Sequence, residues 1–460
     1  MKDEKLSRKQ LFLLSSLIFG MFFGAGNLIF PVQLGQNAGH NWLPATAGFL
    51  LTGCVVPFLA MLAVSMTHSK SVYDVAAPVA PWFGTVVLVA VHMTIGPLFG
   101  TPRTAATAFS MGVSPFVSAK YQNLAMFLFS AAFFGLAYFL TVKQSSLMKW
   151  VGKYLNPLFL VLLVVLLVLA LVLPMGSLHQ SVGTSYQSNA GFQGILDGYN
   201  TMDGLALLAF AVTAVYAVRH MGFEGKSVSK VLAKAGLLSI FWEALLYVGL
   251  VLLGVSSLGK MSVAANGGTA FSDVVTHYAG NFGVLATGVL VTLAVFTTAM
   301  GLFASFAQDL HRAFPKLSYL WWLRLTAVGS FVTANAGLTN IVKWSVPVLM
   351  LLYPYALALI TLGVLNKWVK QSPYLYRSVM AFVTVPAFLD CLANSPLLSM
   401  TTVNTVVNDY HQYFPFAGNG FGWVVPALVG AAVGLVWQLV GQREGATVSQ
   451  TEDQEESKLA

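Results

Sequence analysis

The stretch Phe19-Gly20-Met21-Phe22-Phe23-Gly24-Ala25-Gly26-Asn27-Leu28-Ile29-Phe30-Pro31 lies inside an apolar run from Leu11 to about Leu34. That run is long enough to cross a bilayer as a helix, which takes roughly 20 apolar residues. Three glycines, an asparagine and a proline nevertheless interrupt it near mid-depth. In a helix interior a glycine costs about 1 kcal/mol and a proline about 3, and each backbone group left unpaired in hydrocarbon costs several more. A sequence tolerates such a break only where protein, an ion or a water-filled cavity supplies new partners. Gly20, Gly24 and Gly26 alone would also suit a small-residue seam between helices, but Asn27 and Pro31 add nothing to a seam. The expectation is a discontinuous helix whose freed N–H and C=O groups bind a solute and an ion.

The rest of the chain repeats the membrane signal. Apolar residues make up 57% and charged residues 9% of it, against about 25% charged in a soluble domain. The net charge of +8 does not call for nucleic acid, because of where it sits. Basic residues concentrate in the N-terminal tail and in the loops after alternate spans, for example Lys143, Lys149 and Lys153, then Arg219, Lys226, Lys230 and Lys234. Twenty of the 24 Lys and Arg fall on one side, leaving Arg103, Lys120, Lys260 and Lys343 for the other. The positive-inside rule then puts both termini in the cytoplasm. Cys54 and Cys391 fall within apolar spans and suggest neither a disulfide framework nor a zinc site. The basic start followed by an apolar run is a first transmembrane helix rather than a signal peptide, since the run is long and has no small-residue cleavage site.

Apolar length predicts twelve spans, at about 11–35, 42–67, 82–111, 121–142, 151–174, 197–218, 231–257, 282–310, 319–336, 341–366, 374–396 and 419–440. The fifth is almost pure Leu and Val, as suits a lipid-facing helix. The first and sixth are both interrupted, the sixth by Asp197-Gly198-Tyr199-Asn200-Thr201-Met202-Asp203-Gly204. Breaks in corresponding places mark two five-helix repeats of inverted topology. The expected organisation is a cytoplasmic tail (1–10), a first repeat (11–174), a second (197–366), two additional helices (374–440) and an acidic cytoplasmic tail (441–460). The polar stretches Gly176–Gln193 and Gly259–Asn281 read as extracellular loops.

A break in the first span would free the carbonyls of Gly20, Phe22 and Phe23, which suit a cation, and amides from Gly26 onward, which suit a carboxylate. Asn27 adds a neutral oxygen. In the eighth span, the Ala294 carbonyl and the hydroxyls of Thr297 and Thr298 can converge on one point; such uncharged oxygens match a hard monovalent cation. Alternatively, each threonine bonds back to its own helix. Asp203 can cap the outgoing half-helix, meet a substrate ammonium or carry a proton. His92, Glu243 and Asp390 are expected to be paired inside the bundle. The sequence contains no nucleophile–base arrangement, metalloprotease motif, P-loop or dinucleotide fingerprint, so no catalytic residue is assigned.

Gly24-Ala25-Gly26-Asn27-Leu28-Ile29-Phe30-Pro31, Gly96-Pro97-Leu98-Phe99 with Thr101-Pro102-Arg103-Thr104-Ala105, Tyr199-Asn200-Thr201-Met202-Asp203 and Phe388-Leu389-Asp390 together resemble the bacterial branched-chain amino acid:cation symporter family. More distantly, Gly24-Ala25-Gly26-Asn27 and Ala294-Val295-Phe296-Thr297-Thr298 are similar to the unwound segment and the eighth-span sodium ligands of LeuT-type transporters. The resemblance implies an all-α polytopic membrane protein with twelve transmembrane helices and a LeuT-type 5+5 inverted repeat. It implies sodium at the carbonyls of Gly20, Phe23 and Ala294 and the hydroxyls of Thr297 and Thr298. The substrate carboxylate would meet Ala25 and Gly26. Asn27 and Thr201 would fall where some relatives bind a second sodium, and Asn200, Thr201 and Asp203 would meet the ammonium. Ala206 and Leu302, with the third span, would contact the side chain. The implied activity is import of leucine, isoleucine and valine across a bacterial inner membrane, with Na+ as the coupling ion. The alternative is H+ carried by Asp203 or Glu243. No organic cofactor, nucleic acid or obligate protein partner is expected, and a membrane enzyme or receptor is the less favoured class.

Overall fold

The computed structural model describes residues 6–142 and 156–440. Lys143, Lys149 and Lys153, the outer part of the N-terminal tail and the acidic tail at 441–460 lie outside the described residues. Every regular element of the described residues is helical. In order it contains α1 (Arg8–Phe22), α2 (Ala25–Ala38), α3 (Trp42–Leu50), α4 (Val56–Met66), α5 (Val72–Ala76), α6 (Pro81–Met93), α7 (Gly100–Gly112), α8 (Gln122–Val142) and α9 (Asn156–Val172). There follow α10 (Ala190–Tyr199), α11 (Asp203–His220), α12 (Lys226–Ser257), α13 (Gly267–Ala313), α14 (Tyr319–Ala334), α15 (Leu338–Val364), α16 (Asn366–Val369), α17 (Pro373–Ala393), α18 (Thr401–Tyr413) and α19 (Val424–Val440).

Among the described residues, seven helices are long and apolar enough to span a bilayer, or eight if the bent pair Asp203–Ala211 and Thr213–His220 counts as one. Leu160–Val172 and Val424–Val440 are shorter apolar helices. The exposed surface is what a bilayer solvates. On α9, Val161, Val164, Val165, Val168 and Val172 are exposed, whereas Leu163, Leu166, Leu167 and Ala170 are buried. In water such an apolar face would be an association site; in hydrocarbon it carries no penalty.

Helix interruptions shape the interior. α1 ends and α2 begins around Phe23 and Gly24, with Gly24 extended (φ −123°, ψ −161°). α10 and α11 are separated by Asn200–Met202, where Met202 takes a left-handed conformation (φ 63°). A third break follows α6, where Thr94–Leu98 forms a π turn and Gly96 leaves helical angles (φ −86°, ψ −120°). Pro97 contributes there, since it lacks an N–H and crowds the preceding turn.

Two polar stretches read as loops are partly helical. α13 begins at Gly267, inside the expected loop Gly259–Asn281, and kinks at Gly280 (φ 60°) before the apolar part. Ala270, Phe271, Val274 and Val275 have the 3–4 residue spacing of a helix face and are buried, which outweighs the Gly/Ser content. Likewise α10 begins at Ala190, ahead of the expected start at 197.

Close helix crossings occur at glycines other than those of the first break. A Cβ at Gly35 would lie 2.2 Å from the Val251 carbonyl oxygen, and one at Gly254 2.2 Å from that of Val32, so α2 and α12 touch backbone to backbone. At Gly20 a Cβ would meet nothing within 4 Å. That residue faces open space, as a packing seam would not.

Candidate functional site

The break between α1 and α2 is held by one side chain. In a continuous helix the Gly24 N–H would donate to the Gly20 carbonyl. Here it donates to Asn27 Oδ1 instead, at 2.8 Å. The preceding pair, Phe23 N–H to the Phe19 carbonyl at 2.9 Å, is intact. Gly20 is therefore where a carbonyl loses its usual donor, and Gly20 lines a cavity of about 700 Å³.

Phe23, Gly24, Ala294, Thr297, Thr298 and Leu302 line the same cavity. All five residues expected to hold the cation are thus brought to one space. The two chain segments approach closely: a Cβ at Gly24 would lie 3.5 Å from Thr298 Cγ2 and 3.9 Å from Thr298 Oγ1. The Thr297 hydroxyl donates to the Ala294 carbonyl at 2.7 Å, three residues back. This is a threonine bonding back to its own helix; with the helical N–H of Thr298 it occupies both lone pairs of the Ala294 carbonyl, and it leaves the oxygen lone pairs of Thr297 able to accept a cation. Away from the break, the cavity runs past Leu28, Ala209 and Phe210 to Lys70, Asp309 and the exposed Arg312.

Behind α2 lies a buried polar cluster. Asn27 Nδ2 faces Asp203 Oδ2 at 2.8 Å and Glu243 Oε1 at 3.2 Å, and it also contacts the Tyr247 hydroxyl. Tyr247 Oη lies 3.1 Å from Glu243 Oε1 and 3.3 Å from Asp203 Oδ2. Glu243 and Tyr247 stand four residues apart on α12, hence on one face. All four side chains are buried, and Glu243 Oε2 has no hydrogen-bond partner among the described residues. Two carboxylates thus share one amide and one phenol.

Asp203 is the first residue of α11, and Met202 is the N-cap, so Asp203 does not cap the helix with its side chain. Its own N–H donates to Thr201 Oγ1 at 3.3 Å. The two breaks meet at Gly26: a Cβ there would sit 3.4 Å from the Thr201 Cα and carbonyl oxygen, in van der Waals contact with the second break. Ala25 and Gly26, the first two residues of α2, have amides without intrahelical acceptors. The Asn200 carbonyl accepts from Arg103 Nη1. Ala206 is half-buried one turn into α11, and neither it nor the buried side chains Asn27, Asp203, Glu243 and Tyr247 line the large cavity.

Tyr247 went unremarked in the sequence; its i, i+4 relation to Glu243 on an apolar helix is the signal that could have found it. The remaining intraspan acids and histidine are paired. His92 Nε2 lies 3.0 Å from Asp309 Oδ2, and the Tyr410 hydroxyl donates to Asp390 Oδ1 at 2.9 Å.

The described residues thus combine membrane-length apolar helices with two apposed helix breaks beside an internal cavity. A family model described as "Branched-chain amino acid transport protein" matches residues 7–440, and the chain belongs to that family. It is 33% identical over 435 residues to the branched-chain amino acid permease BrnQ of Bacillus subtilis, covering 94% of this chain and 98% of that one. It is 35% identical over 431 residues to BrnQ of Lactobacillus delbrueckii, covering 93% and 96%. These relatives are transport permeases, not enzymes. Among solved structures, the fold is similar to that of Mhp1, a nucleobase-cation-symport-1 family transporter, in a closed conformation with bromovinylhydantoin bound. The TM-score is 0.60 and the identity 14%, over 93% of this chain and 92% of that one. The inward-facing conformation of Mhp1 matches with a TM-score of 0.57.

Proposed function

We propose that the chain is a secondary transporter that imports leucine, isoleucine and valine together with sodium by alternating access. The observation that carries the ion assignment is the diversion of the Gly24 amide to Asn27. It frees the Gly20 carbonyl at the head of a cavity that Thr297 and Thr298 also line. None of those ligands carries a charge, which suits a monovalent cation better than a divalent one. The α2 amides at Ala25 and Gly26 would receive the substrate carboxylate, and Asp203 the ammonium. The apolar walls at Leu28, Ala209 and Leu302 fit an aliphatic side chain.

In this reading twelve crossings form a 5+5 inverted repeat (11–174 and 197–366) followed by two further helices. α1 with α2 forms the first crossing and α10 with α11 the sixth. Both termini lie in the cytoplasm of a bacterial cell, so the mouth at Lys70 and Arg312 is the inner one. A second reading, proton coupling, rests on one observation: Asp203 and Glu243 converge on the same amide, and among the described residues no basic side chain is bonded to either. A proton on the pair would remove their repulsion.

Counterflow in liposomes tests the substrate class without any ion gradient. Labelled leucine should exchange into vesicles loaded with leucine, isoleucine or valine, and not into vesicles loaded with lysine or glutamate. An aliphatic pocket resolves one methylene by about 1–3 kcal/mol, so the three substrates should differ by no more than roughly 200-fold. Exchange indifferent to the loaded amino acid would defeat the assignment.

A further inference from the structure

Arg103 is a buried cation that the sodium and cavity assignments leave unused. It lies on α7 at 2% exposure, in the motif Gly100-Thr101-Pro102-Arg103-Thr104-Ala105. A guanidinium has five donors and cannot shed its charge in a protein. In a low-dielectric interior such a group needs a paired anion or a full set of acceptors. Arg103 has neither. Nη1 donates to the Asn200 carbonyl, Nη2 donates to Ser345 Oγ at 3.2 Å, and Nε has no hydrogen-bond partner among the described residues. Its face lies 4.9 Å from the centre of the Phe30 ring. No carboxylate bonds to it; its ion-pair distances to Asp and Glu all exceed those of a salt bridge among the described residues.

The position of this charge matters as much as its lack of a partner. Asn200 opens the gap between α10 and α11, and Asp203 closes it. Arg103 therefore stands at one end of that gap and a carboxylate at the other. Thr201, between them, is in contact with Gly26 at the start of α2, and Phe30 under the guanidinium is one turn further along α2, its ring 3.3 Å from the position of a Gly26 Cβ. Positive charge, helix-start amides and negative charge thus follow one another across a few residues. That order complements a zwitterion.

We infer that Arg103 is the residue that binds the carboxylate of the transported amino acid, and that its bonds to Asn200 and Ser345 are a resting arrangement that the substrate displaces. This assignment rests on the amino acid transport reading and makes it more specific: the ligand must carry a free α-carboxylate. The Ala25 and Gly26 amides would then assist a charge-assisted contact rather than provide the whole of it.

Equilibrium binding to the purified full-length protein tests it, using leucine and leucinamide, which lacks the carboxylate charge. Wild type should prefer leucine. Arg103→Gln should weaken leucine by about 10- to 150-fold, the range for a lost hydrogen bond to a charged group, and leave leucinamide nearly unchanged. Arg103→Lys, which keeps the charge but not the planar fork, should retain part of the preference and serves as the probe should the Gln variant fail to fold. Equal weakening of both ligands would overturn the assignment, since a structural role predicts that result. A wild type that binds neither ligand would overturn the transport reading beneath it.

Discussion

Thr298→Val isolates the cation site with little disturbance to packing. Valine keeps the methyl whose carbon lies 3.5 Å from a Gly24 Cβ and puts a second methyl where the hydroxyl was. If sodium is held by five uncharged oxygens, one is lost. A polar contact to a charged group is worth about 1.5–3 kcal/mol, so the sodium concentration for half-maximal uptake should rise roughly 10- to 150-fold. Maximal uptake at saturating sodium should persist, because the substrate contacts are elsewhere. By linkage, leucine affinity at low sodium should fall by a similar factor and recover as sodium saturates. Thr298→Ser should restore the wild-type curve, and Ser305→Ala, further along the same cavity wall, should leave it unmoved. The assay is initial leucine uptake against sodium concentration in liposomes. A folded Thr298→Val protein with an unshifted sodium curve would refute the reasoning.

Asn27→Ala removes the amide that holds the first break and separates two carboxylates. It should cost about 1–3 kcal/mol of stability and lower the midpoint of thermal unfolding in detergent as well as uptake. Gly254→Ala should destabilise by about 1–3 kcal/mol through overlap with the Val32 carbonyl, whereas Gly301→Ala, with nothing within 4 Å of its Cβ, should stabilise by about 0.5–1 kcal/mol; unfolding midpoints of the two variants should move in opposite directions. Glu243→Gln, a near-isosteric change, should leave sodium-driven uptake in place, measured as leucine accumulation under a sodium gradient; its loss there, with folding retained, would favour the acidic pair as the coupling element.

The first break was legible because glycine, asparagine and proline are all costly in a membrane helix and occur there within a few residues. The second was legible from its polar run, though its inner geometry was not. Asp203 looked like an N-cap by local pattern, yet Met202 takes that place in a left-handed conformation that apolar side chains seldom adopt. The break at Gly96 was visible only as unusual composition, since Gly-Pro can also end or merely bend a helix. What no local pattern could show is the convergence of Glu243 and Tyr247 on Asn27, more than two hundred residues earlier. Helix periodicity places those two side chains on one face but does not say which helix that face meets. The helical start of α13 was missed for the opposite reason: its composition is loop-like, and only the spacing of Ala270, Phe271, Val274 and Val275 reveals the buried face.

The most direct test is accumulation of labelled leucine by the purified protein in liposomes, with a sodium gradient and a pH gradient imposed separately. Sodium coupling through Gly20, Ala294, Thr297 and Thr298 predicts accumulation under the sodium gradient alone, abolished when sodium is equal on both sides. Accumulation under the pH gradient alone would contradict that site and transfer coupling to Asp203 and Glu243.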